Sequence, residues 1–393
     1  MRFFPRFFPR FSPESCWFAI TLAAGVVHAA EPGVTDTHIR LGMVNAQTGA
    51  ASGLGRAMLD GATAIFQEAN QRGGIHGRSI ELVVADDGYD PDRAISETLR
   101  LIEDKQVFAL FGNVGTPTTN AVIPIVQEMK VPLVGAFTGA MTLRRPVVHE
   151  IINFRASYDD ESDALVQYFA SRGIKRFGVL YQDDGFGNAV LDGTVRALQR
   201  RGMELVAKGS FQRGTTAVKA GLAALIGHDL QVVIMAGPYT PVAAFVREAG
   251  QAGLKAALAT VSFVGTDSLL QLLGKEGNNI VISQVVPLPE DRTLPIAADC
   301  AALLARHVPA ARLSFVSFEG CISATLMVAA LRRAGADLTR ERLIQSFETF
   351  DRLDLGGLRV TLRPGDHQAS TAVFLTRIAD GRIVPADPAP GAK

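Results

Sequence analysis

Short apolar runs alternate along the chain with longer segments of helical periodicity. The run at 39–44 is followed by apolar residues at helical spacing over 54–71, and two more such pairs precede a fourth apolar run at 131–136. Apolar strands that alternate with helices are typical of a parallel sheet covered on both faces. The same succession returns over 156–263, where it includes a predicted helix at 215–225 and ends on a predicted strand at 257–263. The pattern therefore predicts an α/β fold with two Rossmann-like lobes of mainly parallel sheet.

The last third of the chain departs from this alternation. Residues 295–350 show almost continuous helical spacing, whereas residues 356–384 predict antiparallel strands that turn at Asp380-Gly381. Pro287 and Pro289 lie in a predicted crossover between the lobes. We expect the antiparallel strands to extend one of the two lobes.

The first 29 residues have the pattern of a cleaved secretory signal peptide. Arg2, Arg6 and Arg10 precede an apolar stretch at 16–27, and Val27-His28-Ala29 is the best cleavage site. Twelve apolar residues are too few to cross a bilayer, which needs about 20. No later stretch has 18 apolar residues in a row, so the sequence predicts a soluble periplasmic protein.

Charge and composition exclude several classes of protein. The chain of 393 residues is 48% hydrophobic, which excludes intrinsic disorder. It carries 39 basic and 39 acidic residues without a basic run, which argues against a nucleic-acid or anionic-membrane partner. Loss of the signal peptide would remove three arginines and one glutamate and leave a formal charge of −2.

Three cysteines are too few for a fold built on disulfides. Cys16 falls within the predicted signal peptide, so Cys300 and Cys321 would remain. Both lie in apolar helical segments. They could pair in an oxidising compartment, and buried free thiols are the slightly favoured alternative.

The familiar sequence signatures of catalysis are absent. The chain has no GxGxxG opening a helix after the first strand, no GxxxxGK[ST] phosphate loop and no GxSxG elbow. Its 7 histidines show no metal-ligand spacing. The acidic pairs fall at strand ends or helix starts, where the helix dipole explains them. The sequence therefore predicts a protein that is not an enzyme and uses no metal or cofactor.

Small and hydroxyl residues follow three strands of the first lobe, in the loops 45–50, 112–119 and 137–140. Ligands of open α/β sheets bind at the carboxyl ends of the strands, and free backbone N–H groups at a helix start suit a carboxylate. Helix capping by Thr116 and Thr118 is the alternative explanation. In the second lobe, aromatic residues follow strand ends and could close over a small molecule or simply pack. They are Phe186, Tyr239 and Phe263.

Several short motifs occur in a recognisable order. They include Thr48-Gly49, Gly73-Gly74 and Asp90-Pro91, followed by FGNVGTPTTNAVIPIVQEMKVPLVGAFTGA, FRASYDDE and FEGCISATLMVAALRRAG. Over residues 37–385 this order and spacing resembles the leucine/isoleucine/valine-binding family, the periplasmic solute-binding proteins of ABC importers. Each motif is weak alone, and the specificity lies in their combination.

The resemblance implies the type I periplasmic binding fold, with two lobes joined by three chain crossings. Mapped onto this chain, the N-lobe is 34–155 plus 287–353, and the C-lobe is 156–286 plus 354–390. A small molecule would bind between the lobes and be buried by hinge closure. Permease subunits in the inner membrane would then recognise the closed form of a monomeric binding protein.

The resemblance also implies ligand contacts, in part. Gly115-Thr116 would hold a carboxylate, and the loop 137–139 would help to hold an amine. An aromatic residue of the family is replaced by Leu54, and the acid that pairs with an α-amino group by Ser262. The predicted contact set is Thr48, Leu54, Gly115, Thr116, Phe137, Thr138, Gly139, Phe186, Tyr239, Ser262 and Phe263.

These departures bear on the ligand. A buried ammonium without a carboxylate partner is costly, so a carboxylate with an aromatic or aliphatic body, or an uncharged amide, is expected in place of an ordinary α-amino acid. A cysteine pair of some relatives is replaced by Tyr89 and Gly115, which removes that disulfide.

Three functions follow from these patterns. The first is the binding component of an importer, and the second is a binding module that hands its closed state to a signalling receptor. The third is an enzyme on a flavodoxin-like or Rossmann-like fold, which would need a nucleophile–base pair or a phosphate loop. The importer component is our first hypothesis. The sequence does not separate it from the sensing module, and it lacks the motifs that the enzyme would need.

Overall fold

The computed structural model describes Met1 and residues 31–388. The rest of the predicted signal peptide, with Cys16, therefore lies outside the described residues. The described chain forms one compact unit that begins at Glu31.

The first sheet has five parallel strands in the order β2-β1-β3-β4-β5. Asp90 begins the second helix by accepting hydrogen bonds from the backbone N–H groups of Asp92 and Arg93, and Pro91 occupies the first helical position. The strands and helices of this part are β1 (His38–Asn45), α1 (Ser52–Gln71), β2 (Ser79–Asp86), α2 (Pro91–Glu103), β3 (Ala109–Phe111), α3 (Thr116–Glu128), β4 (Leu133–Val134) and β5 (Ile151–Ile152).

The second sheet contains five parallel strands that continue the alternation. Ser157 and Asp160 form a reciprocal capping box at the start of its first helix. The elements are α4 (Tyr158–Ala170), β6 (Phe177–Gln182), α5 (Gly185–Gln199), β7 (Leu205–Phe211), α6 (Lys219–Ala223), β8 (Val232–Ala236), α7 (Tyr239–Gln251), β9 (Ala257–Thr260), α8 (Thr266–Leu273) and β10 (Val281–Gln284).

The C-terminal segments add helices next to the first sheet and strands to the second sheet. Three helices pack beside the first sheet: α9 (Pro295–His307), α10 (Phe315–Ala334) and α11 (Arg340–Glu348). A short hairpin of β11 (Leu353–Asp354) and β12 (Arg359–Val360) follows. The strands β13 (Phe374–Ala379) and β14 (Arg382–Pro385) then pair antiparallel beside β10, giving the order β14-β13-β10-β9-β8-β6-β7. The predicted α/β fold with mainly parallel sheets is confirmed.

We call the first sheet with α1–α3 and α9–α11 the first lobe, and the second sheet with α4–α8 the second lobe. The hairpin and the loop after it contact the first lobe. The Leu362 backbone N–H donates to the Phe350 carbonyl at 2.9 Å, and the Ala369 N–H donates to the Asn153 carbonyl at 2.8 Å. The chain therefore stays on the first lobe until about residue 369.

Three local predictions were wrong. The strand predicted at 257–263 ends at Thr260, because Ser262–Val264 winds into a 3₁₀ turn that Gly265 closes at a φ of +74°. The helix predicted at 215–225 spans only Lys219–Ala223, since Arg213-Gly214 forms a turn in which Gly214 adopts a φ of +75° and the Thr215 hydroxyl donates back to the Gln212 carbonyl. The prediction also omitted α8 and β10.

The cysteines form a disulfide between α9 and α10. Cys300 and Cys321 are fully buried, and their Cα atoms lie 6.2 Å apart, a usual spacing for a disulfide. The slightly favoured expectation of two free thiols was therefore wrong. Helical spacing shows that each cysteine faces a core but not that the two faces meet.

Helix α10 is the central helix of the first lobe. By length and composition it is the one helix in residues 31–388 apolar enough to cross a membrane. However, 83% of its most apolar window is buried inside the protein, where it packs against α1. Its apolar character is explained by this position in the core.

Candidate functional site

The loop after β3 turns sharply into α3. Gly115 stands at this turn with a φ of +103°, and a Cβ there would lie 2.9 Å from Cδ2 of Tyr89. Only glycine fits this conformation and this contact. The two positions where some relatives carry cysteines are thus in contact here, through an aromatic ring. The Thr116 hydroxyl lies 2.7 Å from the Thr138 hydroxyl, which joins this loop to the one after β4.

The loop after β4 is supported by a buried arginine. The Arg144 guanidinium donates to the carbonyls of Thr138, Ala140 and Arg155 at 2.9–3.2 Å. Gly139 has no room for a side chain, because its Cβ would lie 2.6 Å from the Tyr158 nitrogen. These contacts hold the loop in one shape, with the Phe137 ring against Phe263 of the second lobe.

Four rings converge where the lobes meet. Phe263 lies at the centre, with ring centroids at 4.5 Å from Phe186, 5.6 Å from Phe137 and 6.0 Å from Tyr89. Phe137 and Tyr89 belong to the first lobe, and Phe186 and Phe263 to the second. Of the aromatic residues that the sequence places after strand ends of the second lobe, Phe186 and Phe263 thus meet rings of the first lobe. Such contacts are favourable beyond their buried area.

Direct contacts show that the lobes are closed on each other. The Gly53 backbone N–H donates to the Tyr239 hydroxyl at 3.1 Å, and the Gln182 amide donates to the Tyr89 hydroxyl at 3.1 Å. The Leu54 side chain reaches Gly265, where a Cβ would lie 2.5 Å from Leu54 Cδ2. These contacts form only when the two lobes approach, so the arrangement is that of a closed cleft.

Thr48 is the one predicted contact that lies apart from this cluster. Its side chain is exposed, and its hydroxyl donates to Oδ2 of Asp86 at 2.6 Å. Burial would raise the pKa of Asp86, but hydrogen bonds from Thr48, Gly88 and Gln47 outweigh it and lower that pKa to about 2. Thr48 therefore serves to shape the loop after β1.

A buried ion pair lies beside the rings. Ser262 contacts both of its members: its backbone N–H donates to Glu161 at 2.8 Å, and its hydroxyl contacts Glu161 and Nη2 of Arg155. Nη2 of Arg155 lies 3.3 Å from Glu161, and the guanidinium lies 4.5 Å from the Phe137 ring centroid. Both charged side chains are fully buried. The position where relatives place an acid therefore has a carboxylate next to it, supplied from α4.

A second carboxylate reaches the same arginine from the first lobe. Oε1 of Glu319, on α10, lies 3.6 Å from Nε of Arg155. Burial raises the pKa of Glu319 to about 7, against the lowering by Arg155. Burial also raises the pKa of Glu161. This increase exceeds the decrease that Arg155 and the hydrogen bonds from Ser262 and Ser283 cause. Arg155 thus bridges α10 of one lobe and α4 of the other.

We expect Glu319→Gln to flatten the pH dependence of stability. Because the folded pKa of about 7 exceeds the ordinary 4.5, the stability linked to Glu319 is present below pH 4.5 and is lost as the pH rises through 7. The loss should amount to roughly 3 kcal/mol. Urea unfolding at pH 5 and pH 8 would measure it, with the exposed Glu128→Gln as the matched control. Parallel pH curves for Glu319→Gln and the parent protein would contradict the assignment.

The sequence predictions missed several residues of this site. FRASYDDE contains Arg155 and Glu161, but the sequence analysis explains only the acidic pair Asp159-Asp160, as a helix start, and assigns Glu161 no role. The sequence did contain a sign that Glu161 is buried. It lies four residues after Ser157, and at this helical spacing the two side chains share the buried face. The other missed side chains are Tyr89, Tyr158, Gln182 and Glu319.

Comparison with known proteins agrees with this geometry. A family model described as periplasmic binding protein matches residues 38–382. The chain is similar to the crystal structure of a possible leucine/isoleucine/valine-binding protein from Rhodopirellula baltica, with a TM-score of 0.86 and 35% identity over 91% of this chain and 98% of that one. It is also similar to a fatty acid ABC transporter substrate-binding protein from Thermomonospora curvata, with a TM-score of 0.81 and 25% identity over 92% and 95%.

A relative found by sequence similarity is also a binding protein, and it aligns with a shorter part of this chain. An amino acid binding protein from Pseudomonas aeruginosa is 25% identical over 238 residues, which is 60% of this chain. The alignment spans 63% of that relative's own length. These similar proteins are binding proteins, and the fold they share is the type I periplasmic binding fold.

Proposed function

This chain belongs to the periplasmic binding protein family, and on that premise we propose that it is the periplasmic solute-binding component of an ABC importer. It would capture a small organic molecule by hinge closure and present the closed form to permease subunits in the inner membrane. We propose that the ligand is a carboxylate, an amide or an amino-acid-like molecule. The protein would act as a monomer, exported by the N-terminal signal peptide.

One observation carries the proposal. The Thr116 hydroxyl at the start of α3 is paired with the Thr138 hydroxyl in the loop after β4, and the Thr116 side chain lies next to Gly185, which precedes the Phe186 ring that packs on Phe263. One side thus offers hydroxyl and backbone N–H donors at the positive end of a helix, and the other offers apolar surface. This combination suits a molecule with an oxygen-rich end and an apolar body.

We propose that the hinge consists of the three crossings between the lobes. We propose the first two after residue 155 and near residue 286, the positions that the sequence predicts. The hydrogen bonds of the 361–369 segment to the first lobe support a third crossing after residue 369 instead of residue 353. The Arg155 bridge lies next to the first crossing, so closure and the buried charges would be linked.

A signalling role remains the second candidate, since a receptor could recognise the same closed form. We propose that the protein catalyses no reaction, because the proteins it is similar to are binding proteins and its sequence contains no phosphate loop and no GxSxG elbow. Saturable hydrolysis of carboxylate esters or amides that disappears in Thr116→Ala would contradict this.

A ligand screen tests the proposed function. Thermal unfolding of the mature protein would be followed with amino acids, aliphatic acids, aromatic acids and amides. A ligand at 100 times its dissociation constant adds about 2.7 kcal/mol to the free energy of unfolding. We expect at least one of these small acids or amides to raise the melting temperature by several degrees. No shift with any of them would contradict the proposal.

Two substitutions locate the ligand in the cleft. Thr116→Ala removes a hydroxyl donor and should weaken binding about tenfold. Phe186→Ala removes apolar contact and should weaken it roughly 30-fold. Thr325→Ala, whose hydroxyl bonds only to its own helix, and the part-exposed Phe374→Ala are the matched controls. Calorimetry that shows unchanged affinity in both cleft variants would refute the site.

A further inference from the structure

The carboxylate of Glu161 has its hydrogen-bonding capacity filled by the protein. It accepts from the Ser262 N–H at 2.8 Å, the Ser262 hydroxyl at 3.0 Å, the Ser283 hydroxyl at 2.6 Å and Nη2 of Arg155 at 3.3 Å. A carboxylate has about four lone-pair sites. No site on Glu161 is left for a further donor.

The guanidinium of Arg155 occupies the space next to this carboxylate. It contacts the Ser262 hydroxyl through Nη2, and it lies over the Phe137 ring. In amino-acid-binding relatives, as the resemblance implies, an acid near position 262 pairs with the ammonium group of the ligand. In this chain a cation of the protein already pairs with the carboxylate at that position.

Around the rings, the protein has a hydrogen-bond donor that is free for a ligand, whereas the Glu161 acceptor is already used. Nη1 of Arg155 is fully buried and has no hydrogen-bond partner. The hydroxyls of Thr116 and Thr138 bond to each other. A ligand oxygen could therefore find a donor here. A ligand ammonium would meet the positive charge of Arg155 and a Glu161 that is already saturated.

We propose that the Arg155–Glu161 ion pair takes the place of a ligand ammonium group, so that the cleft prefers carboxylates that lack an α-amino group. This inference rests on the proposed function, because it concerns the same cleft and the same ligand. The preferred ligands are monocarboxylates with a branched aliphatic or aromatic body, which the rings of Phe137, Phe186 and Phe263 would surround.

Matched ligand pairs test the preference directly. 4-Methylpentanoate and leucine differ only in the α-ammonium group, as do 3-phenylpropanoate and phenylalanine. Calorimetry on the mature protein should show that the acid of at least one pair binds at least tenfold more tightly than its amino acid. Tighter or equal binding of the amino acid in every pair that binds would overturn this inference and leave the proposed function standing. No binding in the pairs or in the wider screen would overturn both.

Variants of the ion pair should move the preference in opposite directions. Arg155→Met frees Glu161, so the acid-to-amino-acid affinity ratio should fall about tenfold. Glu161→Gln removes the nearer of the two carboxylates that pair with Arg155, so the ratio should rise. Circular dichroism and thermal unfolding would confirm that each variant is folded at the temperature of the measurement. A ratio that stays constant in Glu161→Gln, the milder change, would show that the pair is only structural and overturn the inference.

Glu319 is the second carboxylate beside Arg155 and needs its own control. If this carboxylate accepted a ligand ammonium, Glu319→Gln would weaken leucine or phenylalanine selectively. Because burial raises the pKa of Glu319 to about 7, this group is mostly protonated at pH 5.5 and the substitution changes no charge there. We therefore expect Glu319→Gln to leave the affinity ratio at pH 5.5 within twofold of the parent protein. A selective loss of amino-acid binding in this variant would overturn the inference.

Discussion

Gly61→Leu should lower the free energy of unfolding by about 3 kcal/mol, because α1 and α10 touch through glycines. A Cβ at Gly61 would overlap the Ser317 carbonyl oxygen and lie 2.7 Å from the Cys321 nitrogen. On the opposite helix, a Cβ at Gly320 would lie 2.5 Å from the Met58 carbonyl oxygen. The neighbouring atoms are backbone and cannot rotate away, so the helices must separate and lose their close packing.

Gly250→Leu is the matched control for this prediction. Gly250 lies near the end of α7 and has open space where its Cβ would be. Leucine is the better helix former, so this variant should be as stable as the parent protein or gain up to about 1 kcal/mol. Urea unfolding of the two variants measures the difference. Equal stability of Gly61→Leu and Gly250→Leu would show that the helices can adjust, contrary to this account.

The alternation of strands and helices could be predicted from the sequence because it depends on short-range periodicity. Asp90-Pro91 marks the start of α2, and Asp380-Gly381 marks the turn between β13 and β14, because each residue pair carries its own conformational preference. The loops that form the cleft were also predictable, since strand ends in parallel sheets gather at one edge.

The contacts between distant parts of the chain could not be predicted in this way. Ser262 and Glu161 are 101 residues apart, and no local pattern links them. The acidic residue missing at position 262 is supplied from another helix, which only the tertiary fold reveals. The Cys300–Cys321 disulfide has the same origin, because helical spacing fixes the direction of each thiol but not the relative position of α9 and α10.

Arg155→Met should lower the free energy of unfolding by about 3–5 kcal/mol at neutral pH. Removing one member of a buried ion pair leaves the other charge without compensation, and here two carboxylates lose the same cation. Both Glu161 and Glu319 are buried, and their pKa values are already raised by burial. Without Arg155 these pKa values rise further, so the two groups bind protons in the folded state at higher pH. The stability lost at pH 8 should therefore be largely regained at pH 5.

Neutral partners should rescue the same variant. The triple variant Arg155→Met/Glu161→Gln/Glu319→Gln removes all three charges and keeps the shapes of the two glutamate side chains, and the new amide oxygen at position 161 can still accept from the Ser262 N–H. Replacing a whole buried ion cluster in this way is often nearly neutral for stability, so at least half of the loss at pH 8 should be recovered. Urea unfolding of the parent protein, the single variant and the triple variant at pH 5 and pH 8 gives the six values needed. If the triple variant is as unstable as Arg155→Met at pH 8, the loss comes from the missing packing of the Arg155 side chain against Phe137 and not from unpaired charge.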